Sequence, residues 1–150
     1  MRIFLTIISF VLISCSSNDD AGCFVSDVDF TNMEAAYSCE NTKNLVDINL
    51  QETFTLIKSQ AAYDAQITGS CMPQIDFDVY TLIIGKKGLA NGNTTISYDY
   101  SNDCATDTNI LTVTFNQNAT TEAPNLTYHI LSPKIAESTT VEVIININFL

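Results

Sequence analysis

Residues 141–149 read VEVIININF. Val141, Val143, Ile145, Ile147 and Phe149 recur at every second position. Successive side chains of a strand point to opposite faces, so a period of two over nine residues specifies a β-strand with one apolar side. The same pattern extends back along the chain. Leu126, Tyr128 and Ile130 alternate, and Leu111, Val113 and Phe115 alternate with threonines. Ile96, Tyr98 and Tyr100 alternate with Thr95, Ser97 and Asp99. Strands with one polar face argue antiparallel pairing. Tyr80–Ile84 is instead a continuous apolar run, and GKKGLANGN after it, residues 85–93, has the glycine and asparagine content of a turn. Lys86 and Lys87 would then sit at a hairpin tip, as a possible docking point for an acidic partner.

Upstream, Val46, Ile48, Leu50, Phe54 and Leu56 continue the period of two. Glu52 interrupts that face, which leaves either a bend or two strands. Ser59 is placed to cap a short helix near residues 60–67 (QAAYDAQI), and Gly69 can take the left-handed conformation just after it. Thr31-Asn32-Met33-Glu34 fits a capping box with Thr31 as the N-cap, ahead of a brief helix through Tyr37. The fold class that results is mainly β (α+β): an antiparallel sheet curled into a sandwich or open barrel, with one short helix near 60–67.

The N-terminus carries an export signal. Arg2 precedes an apolar run from Ile3 to Ile13. That is about half of the roughly 20 residues a membrane span needs, and it matches the basic and apolar regions of a signal peptide. Leu12-Ile13-Ser14-Cys15 resembles the lipobox of bacterial lipoproteins, in which the cysteine thiol is lipidated and becomes the first mature residue. The expected organisation is therefore a signal peptide over 1–14, a lipidated Cys15 with a polar tether over 15–22, and one domain over 23–150. The tether, SSNDDAG after Cys15, has too few apolar groups to fold. The expected location is the bacterial envelope, anchored by lipid to the outer membrane, and the acidic Asp19-Asp20 pair is compatible with display at the surface.

Four cysteines remain: Cys23, Cys39, Cys71 and Cys104. An even number in an exported chain predicts two disulfides, for which three pairings exist. Locality favours Cys23–Cys39 with Cys71–Cys104. Their spacings of 16, 32 and 33 contain no paired metal-ligand motif, and one histidine is present, so no zinc site is expected. No cofactor is expected either. Without Arg2 the chain holds five basic residues against seventeen acidic ones. Such a surface repels phosphates, so nucleic acid is not an expected partner.

Candidate chemistry is sparse. Asp76, between Ile75 and Phe77, reads as a carboxylate that accepts loop N–H groups, and Asp76 with Asp78 would lie on one side of a strand. Asp99, Ser101, Asp103 and Asp107 have calcium-like spacing, but Cys104 and Ile110 occupy the positions where an EF-hand needs glycine and glutamate. An acidic loop is the simpler expectation. His129 has no serine or cysteine nucleophile to pair with and reads as an exposed or hydrogen-bonded strand residue.

Ile75-Asp76-Phe77, the apolar strand Tyr80–Ile84, Gly85 and Gly92 in the following segment, and Pro133 before the last strand together resemble the PrcB-like domain over about 54–148. The family takes its name from a subunit of a bacterial surface protease complex. Asn91-Gly92-Asn93-Thr94 departs from the family's glycine pair followed by tyrosine. The resemblance implies a non-catalytic role: docking to or stabilising another exported protein, such as a protease. The alternative is a surface lipoprotein that binds or hydrolyses glycans.

Overall fold

The computed structural model describes residues 23–149. The expected signal peptide, the expected lipidation position Cys15 and the expected tether up to Gly22 lie outside the described residues, as does Leu150. The described chain is mostly strand, in three sheets with three short helices, and it closes no barrel. In order the elements are β1 (Val25–Asp27), α1 (Met33–Tyr37), α2 (Thr42–Leu45), β2 (Val46–Ile48), β3 (Phe54–Ile57), α3 (Gln60–Gln66), β4 (Ile67–Gly69), β5 (Tyr80–Gly88), β6 (Asn93–Asp103), β7 (Thr108–Gln117), β8 (Asn125–Pro133) and β9 (Thr140–Phe149).

Three layers pack together. A four-stranded sheet runs β1-β6-β7-β9, a three-stranded sheet runs β3-β5-β8, and β2-β4 form a small ribbon beside the helices. One core lies between the two larger sheets and gathers Ile83, Leu111, Val113, Phe115, Tyr128 and Ile130. The other lies between the three-stranded sheet and the helical layer and gathers Met33, Ile57, Tyr63, Ile67, Leu82, Ile84 and Leu131. The middle sheet is thus covered on both faces. That is why β5 reads as an unbroken apolar run: Leu82, Ile83 and Ile84 are all fully buried. Each such side chain contributes about 1.5–3 kcal/mol relative to exposure, so the middle strand anchors both cores. Gly85 continues β5 where a Cβ would lie 2.3 Å from the Tyr128 hydroxyl and 2.7 Å from the Thr53 carbonyl. Only glycine fits that approach.

Two expectations on strand pairing are corrected. β9 runs parallel to β7, with Val113 opposite Ile145. Between them β8 crosses in the other sheet, antiparallel to β5. A parallel neighbour requires a crossover through another layer, and here a strand supplies it in place of a helix. The segment 85–93 is also not all turn. β5 extends through Gly88 and carries Lys86 and Lys87 in register with Thr127 and Leu126. The turn is confined to the residues between Gly88 and Asn93.

The expected helix at 60–67 forms as α3, and Ser59 caps it by accepting the Ala62 N–H at 3.2 Å. Gly69 is not its C-terminal cap. The helix runs directly into β4 through an extended Ile67. Gly69 ends β4 at φ 138°, where a Cβ would strike the Leu45 carbonyl. α1 is capped by Asn32 rather than Thr31, because the Asn32 Oδ1 accepts the Ala35 N–H at 2.8 Å while Thr31 pairs across to Leu131. Glu34 does not close a capping box. Its Oε1 accepts the N–H and the hydroxyl of Thr42, both at 2.9 Å, and ties α1 to α2. At Glu52 the chain breaks into two strands, β2 and β3, with Glu52 itself at φ 55°.

Both disulfides form, with a different pairing from the one locality favours. Cys23 joins Cys104 and Cys39 joins Cys71, with Cα–Cα distances of 5.6 and 5.7 Å. The cause is the sheet: β1 pairs with the end of β6, Val25 opposite Asp103, and this brings Cys23 alongside Cys104. Cys39 follows α1 and Cys71 follows β4, two segments that meet over the second core.

Candidate docking edge

β9 forms one edge of the four-stranded sheet, with β7 on one side and no strand on the other among the described residues. Its first apolar positions, Val141, Val143 and Ile145, pack against the core between the sheets. The alternation then runs past the core. Ile147 is 43% exposed and Phe149 70%, and Ile144 on the opposite face is 40% exposed. An edge strand offers a row of unpaired N–H and C=O groups, and proteins that must stay monomeric blunt such edges with proline, lysine or a bulge. β9 contains no proline and no lysine, and Glu142 is its one charge. Its register to β7 is unbroken over ten residue pairs, so no bulge turns the edge away.

The other residues singled out from the sequence are placed as follows. Lys86 pairs with Asp47 at 2.5 Å, and Lys87 pairs with Glu52. Glu52 also accepts the Gly88 N–H at 2.7 Å. These hydrogen bonds hold the carboxyls of Asp47 and Glu52 below their ordinary range. The lysines therefore lie within a strand, matched by acids, and do not form a cationic tip. Such exposed pairs contribute about 0–1 kcal/mol each.

Ile75 is buried, and Phe77 packs against the same core. Asp76 sits in a turn, not on a strand with Asp78. Its Oδ1 accepts the Asp78 N–H at 3.1 Å, which shapes the entry into β5 as a turn-forming aspartate does. Gly92 lies in the β5–β6 turn, and Pro133 ends β8 opposite Tyr80. Asp99 and Ser101 belong to β6, while Asp103 closes the β6–β7 turn by accepting the Ala105 N–H and the Thr106 hydroxyl. Among the described residues no three His, Cys, Asp or Glu side chains converge on a metal-sized point.

No family model, curated protein or solved structure matches the chain significantly. The two disulfides point to an oxidising compartment outside the cytoplasm. No described helix is long and apolar enough to cross a membrane.

His129 departs from expectation. It is neither exposed nor hydrogen bonded through its ring Nδ1, being only 2% exposed with that nitrogen unpartnered. Burial pushes its pKa down to about 4, against a weaker opposing pull from the Glu34 carboxylate. The side chains around it come from the α1–α2 segment and from β6, both distant from His129 in sequence, and no local pattern announces that they meet.

Proposed function

We propose that this protein is a membrane-anchored, non-catalytic envelope lipoprotein whose domain docks to and stabilises another exported protein by accepting an extended segment of that partner along β9. The observation that carries this is the edge itself: ten residues, unbroken register, no blocking residue, and exposed Ile144, Ile147 and Phe149. Strand addition draws affinity from main-chain hydrogen bonds and specificity from pockets for alternate side chains. The lipobox at Leu12–Cys15 supports an outer-membrane anchor, and the two disulfides suit an exported scaffold. The resemblance to the PrcB-like domain supports a protease as the partner and a stabilising rather than a catalytic role.

The double substitution Ile144→Lys with Ile147→Lys tests it. Both side chains are already partly exposed, so the fold tolerates the change, while lysine on an edge opposes strand addition. Membrane extracts run on native gels should show the wild-type protein in a larger assembly and the variant released from it. Identical migration of the two would refute β9 as the docking edge.

A further inference from the structure

A cleft of about 280 Å³ opens between the helical layer and the strands β6 and β8. His129 and Tyr98 line it from the strands, and Asn32, Glu34, Asn41 and Lys43 line it from the α1–α2 segment. None of these residues belongs to β9. This lies just below the roughly 300–1,000 Å³ of pockets for drug-sized ligands, so it suits a smaller molecule.

The state of each polar group restricts what that molecule can be. The Lys43 ammonium has three donors, and Lys43 directs hydrogen bonds to the Asn93 carbonyl, the Asn93 Oδ1 and the Thr94 carbonyl at 3.2–3.4 Å. These acceptors are neutral, so they occupy its N–H groups and leave its charge in place. Glu34 uses Oε1 for both groups of Thr42 and keeps Oε2 as an acceptor. Asn32 and Asn41 each use their oxygen, for the Ala35 N–H and for the Asn44 amide, and keep an NH₂ donor. The Tyr98 oxygen accepts the His129 backbone N–H at 3.4 Å, which leaves its O–H to donate. Burial holds that hydroxyl up to about 12, so it retains its proton. The His129 Nδ1 is buried without a partner, at a cost of about 1–3 kcal/mol, and has no accessible surface through which a ligand could pair with it directly.

An anion meets the Glu34 carboxylate beside the Lys43 charge, on a chain of formal charge −11, and finds the Lys43 N–H groups already donated to Asn93 and Thr94. A cation meets three donors and a single free carboxylate oxygen. Hydroxyl groups suit the set, because each both donates and accepts. We infer that the cleft binds a neutral polyhydroxylated ligand of single-sugar size, taken either as a free monosaccharide or as the end residue of a glycan.

His129 is the one histidine of the sequence. Carbon-13 histidine labelling of the full chain in detergent therefore gives one imidazole signal that reports on the cleft. Glucose, galactose, mannose and N-acetylglucosamine would each be titrated to about 10 mM, ten times a Kd of about 1 mM. Inorganic phosphate and putrescine serve as charged probes. The expected result is a saturable shift with at least one sugar, none with the charged probes, and at least tenfold weaker binding by Tyr98→Phe. Glu34→Gln replaces that variant if it fails to fold. An oligosaccharide ending in the active sugar then separates the sources: retained binding assigns a glycan end, and lost binding assigns the free sugar. The inference is overturned if no sugar moves the signal, if a charged probe moves it and sugars do not, or if the folded variants bind unchanged.

Discussion

Acid should weaken this domain well before its carboxylates protonate, and His129 should be the cause. The ordinary histidine pKa is 6.5, and in the native domain burial lowers it to about 4. Between those values the unfolded chain binds a proton that the native chain does not. Stability therefore falls as pH drops through that window; it is full above about 6.5 and loses the whole contribution near pH 4. At about 1.4 kcal/mol per pH unit, the gap corresponds to about 3 kcal/mol, a large share of the roughly 5–15 kcal/mol that holds a domain of ordinary stability. Asp47 and Glu52 also respond to acid. Their pKa values are lowered from 3.8 and 4.5 by Lys86 and Lys87, so what they contribute is lost only below about pH 4.5. The interval from 6.5 to 5 belongs to the single histidine. Urea unfolding of the full chain in detergent across that interval should show a falling free energy at constant m-value, and His129→Phe should flatten the slope. An unchanged slope in the variant, or a flat profile in the wild type down to pH 4.5, would show that His129 is not the cause. If the variant does not fold, a titration of the imidazole signal decides instead, since the account has it neutral at pH 5.

Two further outcomes follow from the covalent features. Peptide mapping without reductant should recover Cys23 linked to Cys104 and Cys39 linked to Cys71. Loops of 81 and 32 residues are closed by these bonds, so on the chain-entropy account removing the first should cost about 4–5 kcal/mol and removing the second about 3–4 kcal/mol. Replacing Cys15 with alanine should move the protein from the membrane to the soluble fraction, because each acyl methylene contributes about 0.8 kcal/mol of anchoring; unchanged retention would refute lipidation at that position.

Much of the fold was legible because its strands carry strong local patterns. The alternations of β6, β7, β8 and β9, the unbroken apolar run of β5, and the serine cap of α3 each follow from neighbouring residues. What stayed hidden depends on partners distant in sequence. Nothing in VEVIININF tells whether its neighbour runs parallel or antiparallel, or whether a second neighbour exists. Lys86 and Lys87 looked like a turn because glycines flank them, yet Asp47 and Glu52 hold both within a strand. The disulfide pairing followed strand pairing, with Cys23 carried to Cys104 by β1, and sequence proximity could not show that. The cleft beside His129 draws on four elements, so its existence required the tertiary structure.

We propose β9 as the surface through which this domain holds an exported partner. The direct measurement places a photo-crosslinking residue in living cells at Asn146 or Asn148 on β9, and in parallel at Asp64 and Gln66, exposed positions on α3 in the helical layer. One dominant adduct is expected from the β9 positions only, with the cross-linked peptide mapping to a single extended segment of an exported protein, and with its loss in the Ile144→Lys, Ile147→Lys background. Adducts spread equally over all positions, or none from β9, would contradict it.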